Sequence, residues 1–131
     1  MILFESPLIR LDYAPATDIL TADLSATYEF YFLEVREALN TLVNAVRHYD
    51  VKKLLMDSRK RIVQIEEEKY RALMREFVQG LQTTRLEKLA RLHTGNPPRE
   101  NIAKTLQEEV SLFVMVTFTD KELALTWLKN K

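Results

Sequence analysis

Three short stretches of this 131-residue chain gather side chains that could do chemistry. The first is Asp57-Ser58-Arg59-Lys60-Arg61, a carboxylate and a hydroxyl followed by three cations. Basic groups beside a hydroxyl can hold a phosphate or a carboxylate. The amides opening the helix expected just after would add to that attraction. The competing reading is a solvated charge run, since Glu66, Glu67 and Glu68 follow closely and exposed pairs contribute little. The second stretch is His93-Thr94-Gly95-Asn96. His93 could serve as a general base beside Asp57, or could take a local hydrogen bond in its loop. Asn96 reads as a helix N-cap with Pro97 at the first helical position. The third stretch is Thr117-Phe118-Thr119-Asp120. All three fall where strands are expected to end, and open α/β sheets bind ligands at those ends. Asp57, Ser58, Arg59, Lys60, Arg61, His93 and Asn96 are therefore the candidate ligand- or anion-binding residues.

Composition removes many alternatives. There is no cysteine, which excludes disulfides, thiolate metal sites and cysteine nucleophiles. His48 and His93 are not spaced as metal ligands, and no metal or cofactor is expected. Two glycines cannot build a phosphate-cradling loop of the dinucleotide or Walker type. Nineteen basic and nineteen acidic residues give zero net charge, which argues against nucleic acid as a partner. No nucleophile, base and orienting group can be assembled, so no catalytic residue is assigned and an enzyme is not expected. The opening Met1–Pro7 stretch is too short and lacks the basic start of a signal peptide, and no apolar run could span a bilayer. A cytoplasmic protein is the expectation.

The elements that must position these residues follow from apolar spacing. Leu8–Tyr13 and Ile19–Leu24 alternate with a period of two and predict an antiparallel hairpin. From a Ser25–Thr27 cap to about Tyr49 the spacing becomes three to four. Tyr28, Phe32, Val35, Leu39, Val43 and Val46 then share one helical face. The apolar run within Val51–Asp57 predicts a strand buried on both faces. Ser58–Gln64 reads as a basic loop. Ile65–Thr83 predicts a helix with Tyr70, Leu73, Phe77 and Leu81 inward, and its first-turn glutamates suit the helix dipole. Lys88–His93 predicts a strand, and Ile102, Leu106 and Val110 mark the next helix. Ser111–Thr117 predicts another buried strand. Thr119–Glu122 reads as a capping box for a last helix that buries Leu123, Trp127 and Leu128. One domain over 1–131 results, of α/β class and order ββαβαβαβα. Its sheet is mixed and mostly parallel, with four to five strands, an N-terminal hairpin and about four helices. In Tyr28, Phe30, Tyr31 and Phe32 the aromatic positions surround the helix, so some face outward. Phe30 and Tyr31 either pack on Ile2-Leu3-Phe4 or form a surface for a protein partner or a second copy.

Four segments, Asp18–Leu24, Tyr49–Asp57, Phe113–Phe118 and Lys121–Leu128, together resemble the small stand-alone domains of the STAS superfamily. The similarity is to the branch of the sporulation anti-sigma-factor antagonists. It implies a mixed sheet covered by helices and a regulatory, protein-binding role without catalysis. Such antagonists carry a phosphorylated Asp-Ser pair opening the second helix. Here that region is Val63-Gln64-Ile65-Glu66-Glu67-Glu68, without a hydroxyl, and Asp57-Ser58 lies earlier. The resemblance therefore does not carry over a phospho-switch at that place.

Overall fold

Helices form where the apolar spacing is three to four, and strands where it is two or unbroken. The computed structural model describes residues 1–24, 29–59, 62–63 and 65–130, with backbone alone for 29, 30, 62 and 63. The strands are β1 (Ile2–Glu5), β2 (Arg10–Ala14), β3 (Ile19–Asp23), β4 (Glu29–Phe30), β5 (Lys53–Asp57), β6 (Ile62–Val63), β7 (Lys88–Leu92) and β8 (Val114–Phe118). The helices are α1 (Phe32–His48), α2 (Glu67–Leu81), α3 (Pro97–Glu109) and α4 (Lys121–Lys129).

The fold is α/β, with one mixed sheet in the order β1-β2-β3-β5-β7-β8, and a two-residue parallel pairing of β4 with β6. β1, β2 and β3 are antiparallel neighbours, and β3, β5, β7 and β8 run parallel. The sheet has six strands, not four or five. The additional strand is β1, whose side chains are mostly exposed. Backbone pairing holds it to β2, and the Met1 ammonium adds hydrogen bonds to Asp12 and to the Tyr13 carbonyl. A strand held this way leaves no buried alternation to read.

Each parallel crossover advances the sheet in the same direction, so right-handed connections put their helices on one face. Accordingly α1, α2 and α3 close the larger core over Leu20, Ala22, Leu54, Met56, Leu89 and Met115. α4 lies alone on the other face, where Ala124 and Leu128 meet Leu55, Ala90 and Leu92. The doubly buried reading of β5 holds at Leu54, Leu55 and Met56. That of β8 does not: Leu112 and Val114 are exposed, because β8 is the outer strand and α4 covers only part of that face. Leu123 is likewise exposed, while Trp127 is half-buried against Phe118. α4 is capped by Asp120, whose carboxylate accepts the Glu122 amide at 2.8 Å, so the cap lies one residue after Thr119. α1 begins at Phe32 with Tyr31 at its N-cap and the Glu34 carboxylate accepting the Tyr31 amide. The Ser25–Thr27 cap expected for it lies outside the described residues, as does Tyr28. No helix among the described residues is long and apolar enough to cross a membrane.

Candidate functional site

β5 and β7 end side by side, and the loops after them do bring several of the expected residues to one end of the sheet. Alternation along β7 points Leu89 and Arg91 to the face covered by α2 and α3. A charged side chain on that face needs a partner, and α3 supplies it. Arg91 donates to both oxygens of Glu100, at 2.6 and 2.8 Å, and to the Thr117 hydroxyl at 3.0 Å. The Thr94 hydroxyl and amide complete the shell of Glu100. Burial by itself would raise the Glu100 pKa. The hydrogen bonds from Arg91 and Thr94, with the Arg91 charge, overcome it and hold the carboxyl down at about 2.

The turn into α3 is built from short polar residues. Gly95 has a φ of 75°, which suits glycine. Its amide donates to His93 Nδ1 at 3.0 Å. Asn96 caps α3 by accepting the Arg99 amide, as its sequence context implies. Pro97 and Pro98 have no N–H, and the Arg99 amide is already taken. His93 does not pair with Asp57 as a base with its orienter. Its contacts are Gly95 and Glu100, with His93 Nε2 3.6 Å from the Glu100 carboxylate.

Arg59 does not join Ser58 in an open basic loop. It turns back on Asp57, with Nε 3.0 Å from one carboxylate oxygen and a second guanidinium nitrogen 2.9 Å from the other. Burial opposes ionisation of Asp57, but the Arg59 hydrogen bonds and charge prevail and hold its pKa below the usual value. Lys60 and Arg61 lie outside the described residues. Ser58 instead accepts a hydrogen bond at 3.2 Å from the guanidinium of Arg99, on the first turn of α3. Arg99 also lies 5.8 Å from the centre of the Tyr70 ring on α2, within cation–π range. Of the two aromatic surface candidates, Tyr31 is exposed; the side chain of Phe30 lies outside the described residues.

Arg99, Tyr70 and Ile102 stand between two hollows. Outward is a vestibule whose lining includes Glu67, Asn96 and Pro98. Inward a slot runs beneath α2 and α3, with Ser58 and Arg91 at its polar end. Arg99 and Ser58 had no signal as a pair, because they lie 41 positions apart and only the fold joins them. Arg91 did have one: it is a charge inside the otherwise apolar run Leu89-Ala90-Arg91-Leu92. No cluster of three His, Asp or Glu side chains suited to a metal ion occurs among the described residues. Two guanidinium groups, Arg91 and Arg99, the Glu100 carboxylate, two threonine hydroxyls and Ser58 gather on the face covered by α2 and α3, whereas Asp57, two positions from Leu55, points with its Arg59 partner to the α4 face.

No family model, curated protein or solved structure matches this chain.

Proposed function

We propose that the chain is a recognition module that takes a small anion at the carboxyl ends of its parallel strands, without covalent chemistry. Arg99 and Ser58 hold the anion. The observation supporting this is the place of Arg99, which lines both the vestibule and the slot beside the Ser58 hydroxyl. Arg59 and Arg91 are each held on a carboxylate through two hydrogen bonds. Thermal denaturation in rising concentrations of inorganic phosphate tests the reading, since a ligand of the native state raises Tm. Phosphate raises Tm in the unaltered chain and in Arg59→Ala, and has no effect in Arg99→Ala. A Tm independent of phosphate in the unaltered chain contradicts it.

A second reading is a cytoplasmic regulatory module resembling the anti-sigma-factor antagonists, working through a protein partner or self-association. The specific observation favouring it is a pair of exposed apolar side chains, Tyr31 and Leu33, opening α1. Light scattering that shows self-association, abolished by Leu33→Asp, would support it. A monomer at high concentration removes the self-association part.

A further inference from the structure

The slot inward of Arg99 has a chemistry of its own. Along the strands, the lining passes from Met56 and Arg91 to Leu89 and Met115. Along α2 it passes from Tyr70 through Met74 to Phe77, and along α3 from Arg99 through Ala103 to Leu106. Each helix contributes seven residues of travel, about 10 Å at 1.5 Å per residue. The slot is therefore a channel running parallel to the strands, polar at one end and apolar for the rest.

Its volume is the second observation. The space free of atoms is about 540 Å³ with the open mouth included, and the centre of a water molecule can occupy about 40 Å³ of it. A planar base or a sugar does not enter so small a space without rebuilding the core. A single file of methylenes does. Three of the chain's four methionines, Met56, Met74 and Met115, line the passage. Methionine is unbranched and rotates easily, so these walls yield to a chain and close again behind it. By contrast, the buried residues of α1 itself are valine, leucine and alanine.

We infer that the anion held at Arg99 and Ser58 is the head of a straight-chain aliphatic carboxylate whose tail lies in this slot. The inference rests on the anion-binding reading and names its ligand class. The head remains at the slot's polar end, where Arg99 and Ser58 meet it. Glu67 also lines the vestibule, but the Arg71 guanidinium lies 3.4 Å from its carboxylate and offsets that charge. Glu100 is likewise closed on Arg91. The tail passes between Tyr70 and Ile102 and ends near Leu106, and an octyl chain is of about that length. Tyr70, buried at the boundary, offers its ring to Arg99 and to the first methylenes alike.

Calorimetric titration of the full chain with acetate, butanoate, hexanoate and octanoate, all below micelle-forming concentrations, tests the inference. Affinity is expected to rise from butanoate to octanoate by about fourfold for each methylene buried. Ala103→Leu, which extends a side chain into the passage, is expected to remove the gain from chain length while keeping the response to phosphate. Should that variant fail to fold, the series on the unaltered chain decides alone. Affinity that does not change with chain length overturns the tail and leaves the anion reading standing. Binding of 1-octanol as tight as octanoate overturns the carboxylate head. If neither phosphate nor any carboxylate binds, the anion reading falls together with this one.

Discussion

On α1, Val35, Leu39, Leu42 and Val46 leave no more than 1% of their surface exposed, and Ala38 and Val43 5% and 8%. Beneath α2 and α3 the face of the sheet that α1 shares is lined by Met56, Tyr70, Phe77 and Met115, each 4–7% exposed around an open slot. Both regions are apolar and both are built by helices with regular stripes. The difference lies in side-chain shape. Branched aliphatic residues interdigitate to crystal-like density, whereas flexible and flat ones leave room that a ligand can fill. The polar end of the loose region is where the parallel strands finish, so room and charge coincide there.

The sharpest way to break this comparison is by truncation. Leu42→Ala is expected to cost about 2–5 kcal/mol, because the cavity left in a sealed core cannot collapse. Met74→Ala, at a half-buried wall that already borders empty space, is expected to cost about 1 kcal/mol or less. Denaturant unfolding of the two variants measures the contrast, and equal losses would abolish it.

Glu100→Gln comes next. It leaves the Arg91 guanidinium, only 15% exposed, without its counter-charge, at a cost of about 2 kcal/mol. The pH dependence has a definite sign. The Glu100 carboxyl is held down at about 2 in the folded chain against an ordinary value of 4.5, so its contribution is complete above pH 4.5. That contribution fades as pH falls toward 2. Unfolding free energy followed across this window should therefore drop less steeply in Glu100→Gln than in the unaltered chain.

Much of this contrast was legible beforehand. The stripes of α1, α2 and α3 and the Asn96-Pro97 helix start follow from residue spacing and capping chemistry alone. β1 did not, because backbone pairing rather than a buried alternation holds Ile2–Glu5 in place. Arg59 stands among the candidate site residues that the sequence points to, and Arg99 does not. Arg59 has a carboxylate two residues away and closes on it locally. Arg99 looks in sequence like any first-turn arginine, and only the docking of α3 brings it beside Ser58. A stretch of charge in sequence states which ions are present, and the fold decides which of them face each other.

Two smaller effects lie outside both regions and sharpen the comparison as controls. Tyr13 donates to Asp18 at 2.6 Å, and this hydrogen bond, with burial and the Asp18 charge, pushes its pKa up to about 12. Stability from this pair is present below pH 10 and lost as pH rises toward 12, so Tyr13→Phe should flatten that alkaline limb, with a loss of about 0.5–1 kcal/mol at neutral pH. Arg36→Ala, which removes a surface pair with Glu76, should change stability by about 0.5 kcal/mol or less. Neither variant should alter ligand binding.

Methyl resonances of the methionines give the most direct test of the slot. With carbon-13 at the methionine methyls, octanoate should shift Met56, Met74 and Met115 together and leave Met1, which lies at the opposite side of the sheet, unmoved. Saturating octanoate that moves none of the three, or that moves Met1 alone, would contradict the account.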